Sequence, residues 1–156
     1  EKEVQQLASL RDALKAKKNV YWATEVEVSW LAAAGWTALA QGKNDEALGL
    51  MRNAADTEDR NEKHIVTPGR ILPARELLGD MLMALNRPVE ALKEYKATQH
   101  REPNRFRGLY GAALAAERSG DTKRAKVHYA KLASVTKGSD GGREELARAR
   151  EMVARK

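Results

Sequence analysis

An acidic segment around His64 carries the residues whose types and spacing come closest to a reactive site. Asp56, Glu58, Asp59 and Glu62 precede the imidazole by no more than eight positions. An imidazole with carboxylates can bind a divalent metal, and such a site would suit an enzyme or a small-ligand protein. The competing interpretation is a solvated linker in which His64 fixes the loop by a hydrogen bond. One histidine among acids is a weak metal signal, so we favour the linker.

A glycine-rich stretch, "TKGSDGGRE" from Thr136 to Glu144, is the second candidate for ligand chemistry. Glycine-rich turns before a helix expose backbone N–H groups that bind anions. However, Asp140 can cap the following helix, and the glycines are explained by a hinge. We therefore favour a hinge over a phosphate site.

Established catalytic motifs are absent from the sequence: it has no phosphate-binding Gly loop, HExxH, GxSxG or EF-hand pattern. It also has no cysteine, which excludes disulfides, thiolate nucleophiles and cysteine-based metal sites. The sequence thus predicts a protein that is not an enzyme and needs neither metal nor cofactor.

The charged residues are numerous but dispersed. The net charge of +6 comes from 28 Lys and Arg against 22 Asp and Glu, which alternate along the chain. A nucleic-acid partner needs a concentrated basic face, so we expect none. Trp22, Trp30 and Trp36 suggest a stacking platform for single strands, but their helical spacing mainly favours packing between helices, with Trp36 as the exception. Apolar runs are too short to span a bilayer, and no membrane insertion is expected.

The sequence contains an internal repeat in three copies, which predicts the helices that position these residues. The offset is 34 residues between the last two copies and 44 between the first two. Each copy has a turn residue, then a small residue in a second helix, then a large residue one turn later. The turn residues are Gly42, Asn86 and Gly120, the small ones Ala47, Ala91 and Ala125, and the large ones Met51, Tyr95 and Tyr129.

Each repeated position has a physical reason. Glycine enters the left-handed turn conformation freely and asparagine tolerates it. Asp121 is predicted to cap a helix, and Pro88 suits a first helical turn because its missing N–H would be unpaired there. The alanines let two helices approach closely. With many alanines and only 5% aromatic residues, the composition favours helix throughout.

The middle copy resembles the tetratricopeptide repeat, in which Leu-Gly, Ala-x-x-x-aromatic and Pro recur within 34 residues. Its matching residues are Leu78, Gly79, Leu82, Ala91, Tyr95 and Pro103. The other copies carry smaller side chains at some motif positions without breaking the periodicity. The register and the resemblance predict an all-α, right-handed α-solenoid of antiparallel helix pairs with about eight helices.

We predict one helical-repeat domain over 1–156. Its parts are an N-terminal helix with the start of a long helix (1–27), repeat 1 (28–61), an inter-repeat loop (62–71), repeat 2 (72–105), repeat 3 (106–139) and a capping helix (140–156). The first helix carries the apolar stripe Val4, Leu7, Leu10 and Leu14, and the capping helix carries Leu146, Ala149 and Val153. "VEVSW" alternates like a strand, but a lone strand among helices has no partner, so we predict helix there.

The stretches "EKHIVTPGRILPARELLGDML" and "REPNRFRGLYGAA" are similar to a block in larger bacterial tetratricopeptide repeat proteins of unassigned function. The likeness covers roughly residues 7 to 150. It implies that further repeats lie upstream, and that this chain is a C-terminal piece of a soluble protein from the bacterial cytoplasm or periplasm. No catalytic residue comes with the resemblance.

The resemblance also implies a concave groove lined by the first helix of each pair. By register, its partner-binding residues are Trp36, Leu39, Glu76, Asp80, Met83, Arg107, Tyr110, Leu114 and Glu117. Most of these residues are apolar or acidic, and Arg107 lies at the edge. Repeats that hold a C-terminal carboxylate use Lys, Asn and Arg at these positions. A carboxylate clamp is therefore not expected.

Two classes of function follow from these observations. We favour a non-catalytic scaffold that binds a peptide or helix of another protein, with apolar anchors and some positive charge, in the groove. The alternative is an enzyme or a small-ligand or metal-binding protein whose His64 loop folds over the concave face. In a third, structural possibility, a second copy of the chain or the upstream repeats fill the groove.

Overall fold

The computed structural model describes residues 1–62, 70–139 and 142–154, and within these ranges the regular secondary structure is helical, without a strand. Eight helices occur there: α1 (Lys2–Ala16), α2 (Val20–Ala40), α3 (Asn44–Arg60), α4 (Ala74–Ala84), α5 (Pro88–Arg101), α6 (Phe106–Arg118), α7 (Thr122–Val135) and α8 (Glu144–Ala154). The predicted all-α class and helix number are confirmed, and "VEVSW" lies within α2. None of the described helices is long and apolar enough to cross a membrane.

The helices pack as two compact units, Glu1–Met81 and Leu82–Lys156. In the first unit α2 packs against both α1 and α3, and in the second unit α5, α6, α7 and α8 pack in chain order. The boundary between the units lies inside α4, within the predicted repeat 2 (72–105). The organisation as one domain of three repeats stays a prediction.

The turns between paired helices have the predicted backbone geometry. Gly42, Asn86 and Gly120 have positive φ angles of 77°, 56° and 81°. The carboxylate of Asp121 accepts a hydrogen bond of 2.9 Å from the backbone N–H of Arg124 and so caps α7. Pro88 opens α5, as expected.

The repeated small and large residues of the second helices, α3, α5 and α7, lie in the core of each unit. All six are essentially inaccessible to solvent, which confirms their predicted positions: Ala47, Ala91, Ala125, Met51, Tyr95 and Tyr129. Small residues allow the helix backbones to approach, and the large residue one turn later then fills the space beside them.

The terminal helices differ in detail from the predicted stripes. On α8 the buried residues are Leu146, Ala149 and Met152, whereas Val153 is 45% exposed. The prediction of Val153 is wrong because the packed face follows steps of three residues, which brings Met152 inward. On α1 no residue is fully buried, and Leu10 is exposed rather than part of the apolar stripe.

Gly111 of α6 lies close against the ring of Tyr95 on α5. A Cβ atom added at Gly111 would lie 2.5 Å from two ring carbons of Tyr95. Because Tyr95 is itself fully packed, its ring has no space into which to move. The absence of a side chain at position 111 is therefore a condition for α5 and α6 to pack as they do.

We expect Gly111→Ala to lower the free energy of unfolding by about 1–3 kcal/mol through overpacking. Gly49→Ala is the matched control, because Gly49 also lies inside a helix but has open space around its Cβ position. That variant should gain roughly 0.5–1 kcal/mol from helix propensity. Urea unfolding of both variants measures the difference, and equal stability would contradict the packing of Tyr95 on Gly111.

Candidate partner-binding faces

The acidic run of α3, which suggested a metal site, contacts arginines and a helix N-terminus in the first unit. The Nη2 atom of Arg75 lies 2.9 Å from Asp56 Oδ1, and its Nε donates to Asp59. His64 lies outside the described residues. Among the residues that the structure describes, no group of three His, Asp or Glu side chains could hold a metal ion.

Glu58 is the buried centre of this arrangement. Its Oε2 atom accepts a hydrogen bond of 2.8 Å from the backbone N–H of Ala74, the first residue of α4. Its Oε1 atom lies 3.1 Å from Arg70 Nε, and Arg70 also donates to Glu25 of α2 and to the carbonyl of Asn61. A carboxylate at a helix N-terminus satisfies an otherwise unpaired N–H and complements the helix dipole. These acidic residues thus hold the start of α4 against α3.

We expect Glu58→Ala to lower the free energy of unfolding by about 3 kcal/mol, because it leaves a largely buried arginine and a buried N–H without their acceptor. Glu62→Ala is the control, since Glu62 belongs to the same acidic run but is exposed. Thermal melting of the two variants compares them. If Glu58→Ala had the same melting temperature as Glu62→Ala, this anchoring role would be ruled out.

In the first unit, the predicted partner-binding residues divide into exposed and buried positions. Trp36 and Leu39 on α2 and Asp80 on α4 are partly exposed. Glu76 of α4 is instead fully buried. Its predicted contact with a partner is therefore wrong, because its side chain lies in the interior of the protein.

In the second unit, four predicted residues follow one face of α6. Arg107 is exposed, and Tyr110, Leu114 and Glu117 are partly exposed, at spacings of three, four and three residues. Such spacing places side chains on the same side of a helix. Met83, at the end of α4, is also partly exposed.

The buried Tyr129 of α7 packs against this face of α6 from the interior of the unit. The Tyr110 ring meets the Tyr129 ring edge-on, with centroids 6.2 Å apart. The Tyr129 hydroxyl donates to Glu117 Oε2 at 2.8 Å, and Arg148 of α8 donates to Glu117 Oε1 at 2.8 Å and to the Tyr129 hydroxyl oxygen at 3.2 Å. Glu117 is therefore already held by two partners within the unit, and Tyr110 rests on a fixed ring.

The environment of Tyr129 favours its protonated form. Burial, followed by the hydrogen bond to the Glu117 carboxylate, raises the pKa of Tyr129 to about 12. The same hydrogen-bonded carboxylate raises the pKa of Arg148. Near neutral pH Tyr129 is therefore uncharged, and the charged Arg148 is ion-paired with Glu117.

We expect Tyr129 to make stability sensitive to alkaline pH. An unfolded tyrosine loses its proton near pH 10, so above that value the unfolded chain binds fewer protons than the folded one and stability falls until Tyr129 itself ionises. Urea unfolding from about pH 9 to about pH 11.5 should show a steeper loss for the parent than for Tyr129→Phe. Parallel curves would contradict the raised pKa.

The three tryptophans of α2 differ in their surroundings. The Arg11 guanidinium of α1 lies 4.8 Å from the Trp30 ring centroid, so Trp30 packs between helices as predicted. Trp22 is exposed and contacts Tyr21 edge-on, with centroids 5.1 Å apart. Trp36 is the partly exposed tryptophan that belongs to the predicted binding face.

The second unit also contains a cleft that the repeat register does not reveal. It has a volume of about 640 Å³ and lies between α5, α7 and the turn before α7. Its lining is Val89, Leu92, Lys93, Lys96, Ala97, His100, Ser119, Asp121 and Arg124. One signal in the sequence points to it: residues 82–156 hold 17 Lys and Arg against 9 Asp and Glu, a net charge of +8, whereas residues 1–81 hold 11 against 13, a net charge of −2.

No family model and no curated protein matches this chain. Among solved structures, PcrH from Pseudomonas aeruginosa is similar, with a TM-score of 0.60 and 19% identity over 81% of this chain and 88% of PcrH. PcrH in complex with the chaperone binding region of PopB gives a TM-score of 0.60 and 19% identity, over 80% of this chain and 93% of that one. The fold is a TPR-like helical repeat. This confirms the predicted fold, and at this identity the likeness concerns the fold alone.

Proposed function

We propose that this chain is a non-catalytic scaffold that binds partner-protein segments on exposed faces of its first helices, on α2 and α4 in the first unit and on α6 in the second. One observation carries the proposal: large apolar side chains remain partly exposed at regular positions of α2 and α6, although both helices bury their other face in the core. Partly exposed apolar residues on a rigid helix are the usual anchors for a partner side chain.

On α6 the anchors are Tyr110 and Leu114. Tyr110 is suited to this role because its ring already rests on Tyr129, so a partner that packs on it loses little side-chain entropy. Aromatic residues with few rotatable bonds dominate the binding energy of many interfaces. Arg107 lies at the edge of this face, where it would contact the partner at its solvent-exposed rim.

On α2 the anchors are Trp36 and Leu39, and on α4 Asp80 adds a partly exposed carboxylate. Glu76 is buried and Glu117 is ion-paired with Arg148, whereas the Asp80 carboxylate is partly exposed. The proposed partner segment therefore carries apolar anchors and a positive charge near Asp80. Such a charge pair would fix the register of the segment more than it would add affinity.

The fold likeness supports this proposal over the enzymatic alternative. PcrH, which has a similar fold, has been solved in complex with the chaperone binding region of PopB. The acidic residues on which a metal site would depend instead contact Arg70, Arg75 and the N-terminus of α4. No observation in the described part of the chain favours catalysis.

The test is selection of short random peptides on the intact protein, followed by affinity measurement on variants. We expect the selected peptides to carry apolar anchors and basic residues, and to lose at least roughly tenfold in affinity on Leu114→Asp or Leu39→Asp. Asp80→Asn should weaken mainly those peptides that carry a basic residue.

The controls are Val153→Asp and Leu10→Asp, which place the same charge at exposed apolar positions outside the proposed faces. They should bind as the parent does. Unchanged affinity on both Leu39→Asp and Leu114→Asp, in proteins with parental helical content, would exclude the first-helix faces. Loss of binding together with a concentration-dependent dimer would assign the faces to a second copy of the chain.

A further inference from the structure

The cleft between α5 and α7 combines an apolar floor with a cationic rim. Leu92 and Ala97 form the floor with Val89, which is 59% exposed although it is apolar. Lys93, Lys96 and Arg124 contribute the positive charges of the rim, and His100 lies beside them. A floor of this kind accepts aliphatic side chains, and the rim accepts carboxylates.

Two of the three rim cations, Lys93 and Lys96, have no ion-pair partner among the described residues of the unit. Asp121 is the acidic residue that lines the cleft, and its carboxylate already caps α7 and lies 3.3 Å from Arg124 Nη1. Lys93 and Lys96 are exposed and form no ion pair with any residue that the structure describes. Glu90, one turn before Lys93, instead accepts two hydrogen bonds of 2.6 and 2.7 Å from Arg87.

Helix α7 extends the basic surface away from the cleft. It contains Lys123, Arg124, Lys126 and Lys131 and no acidic residue, and Val127 is 62% exposed among them. The pKa of His128 is lowered, first by burial and then by the positive charges of Lys96 on α5 and Arg124 on α7. Cations from both helices therefore act on the same region.

We propose that this cleft is a second interaction surface, which binds an acidic segment of another protein. Aliphatic side chains of the segment would pack on Val89, Leu92 and Ala97, while its carboxylates would meet Lys93, Lys96 and Arg124. The surface belongs to the second helices, and its charge preference is opposite to that of the first-helix faces. It accounts for the concentration of positive charge in residues 82–156, which the first-helix proposal leaves unexplained.

An acidic protein segment fits the cleft better than a nucleic acid does. No Phe, Tyr or Trp side chain lines the cleft, and His100 offers only a small imidazole ring for base stacking. A phosphate backbone would leave the exposed Val89 without an apolar contact, whereas an acidic segment with leucines satisfies both the floor and the rim. The volume of about 640 Å³ suits a few side chains.

The test uses a fluorescein-labelled peptide with repeating Glu and Leu residues and fluorescence anisotropy on the full chain. We expect binding that weakens as salt is raised and that weakens at least roughly tenfold when Glu is replaced by Gln in the peptide, or Lys93 and Lys96 by Gln in the protein. Val89→Asp should weaken it as well. The charge-conserving pair Lys93→Arg and Lys96→Arg should retain binding.

The matched control is Lys137→Gln with Arg150→Gln, which removes two exposed charges from the same unit outside the cleft. It should bind the acidic peptide as the parent does. Leu114→Asp should do the same, because Leu114 belongs to the proposed first-helix site and not to the cleft. Equal affinity for the Glu and Gln peptides, or no loss on Lys93→Gln with Lys96→Gln, would overturn the proposal. Tighter binding of a DNA duplex or of anionic lipid vesicles through the same lysines would also overturn it.

Discussion

The packing of each unit depends on how closely its paired helices approach one another. Ala47, Ala91 and Ala125 have no exposed surface, and a large residue follows each of them by one turn. Gly111 extends this constraint in the second unit, because the Tyr95 ring occupies the space that any side chain there would need. Helix α6 buries Leu109, Ala112 and Ala116 in the core, whereas its Leu114 remains partly exposed.

Tyr129 connects the interior of the second unit with its surface. It is fully buried, yet its ring contacts Tyr110 and its hydroxyl contacts Glu117, both on the exposed side of α6. Arg148 of α8 completes the same cluster. A single core residue therefore contacts two residues on the exposed side of α6 and one on the last helix, and so links α6, α7 and α8.

Local rules were enough to predict the helices, because each of their signals lies within a few residues. The left-handed turns at Gly42 and Gly120, the cap at Asp121 and the small residues of the second helices all follow from backbone sterics and helix period. The register could not predict that Glu76 is buried, since helical periodicity does not specify how deeply each face is covered. The partners of Glu58 and Asp59 lie 12 and 16 residues away along the chain, so only the folded arrangement identifies them. The α5–α7 cleft was missed for the same reason: its cations come from two helices.

The anchoring of Ala74 by Glu58 has a consequence for how this chain tolerates insertions. The two ends of the intervening connection are held by hydrogen bonds and ion pairs of the first unit itself, through Glu58, Arg70 and Arg75. Once such ends are fixed, each doubling of the length between them costs only about 0.6 kcal/mol of closure entropy. Connections of different length, or even an inserted domain, are therefore compatible with the same placement of α4.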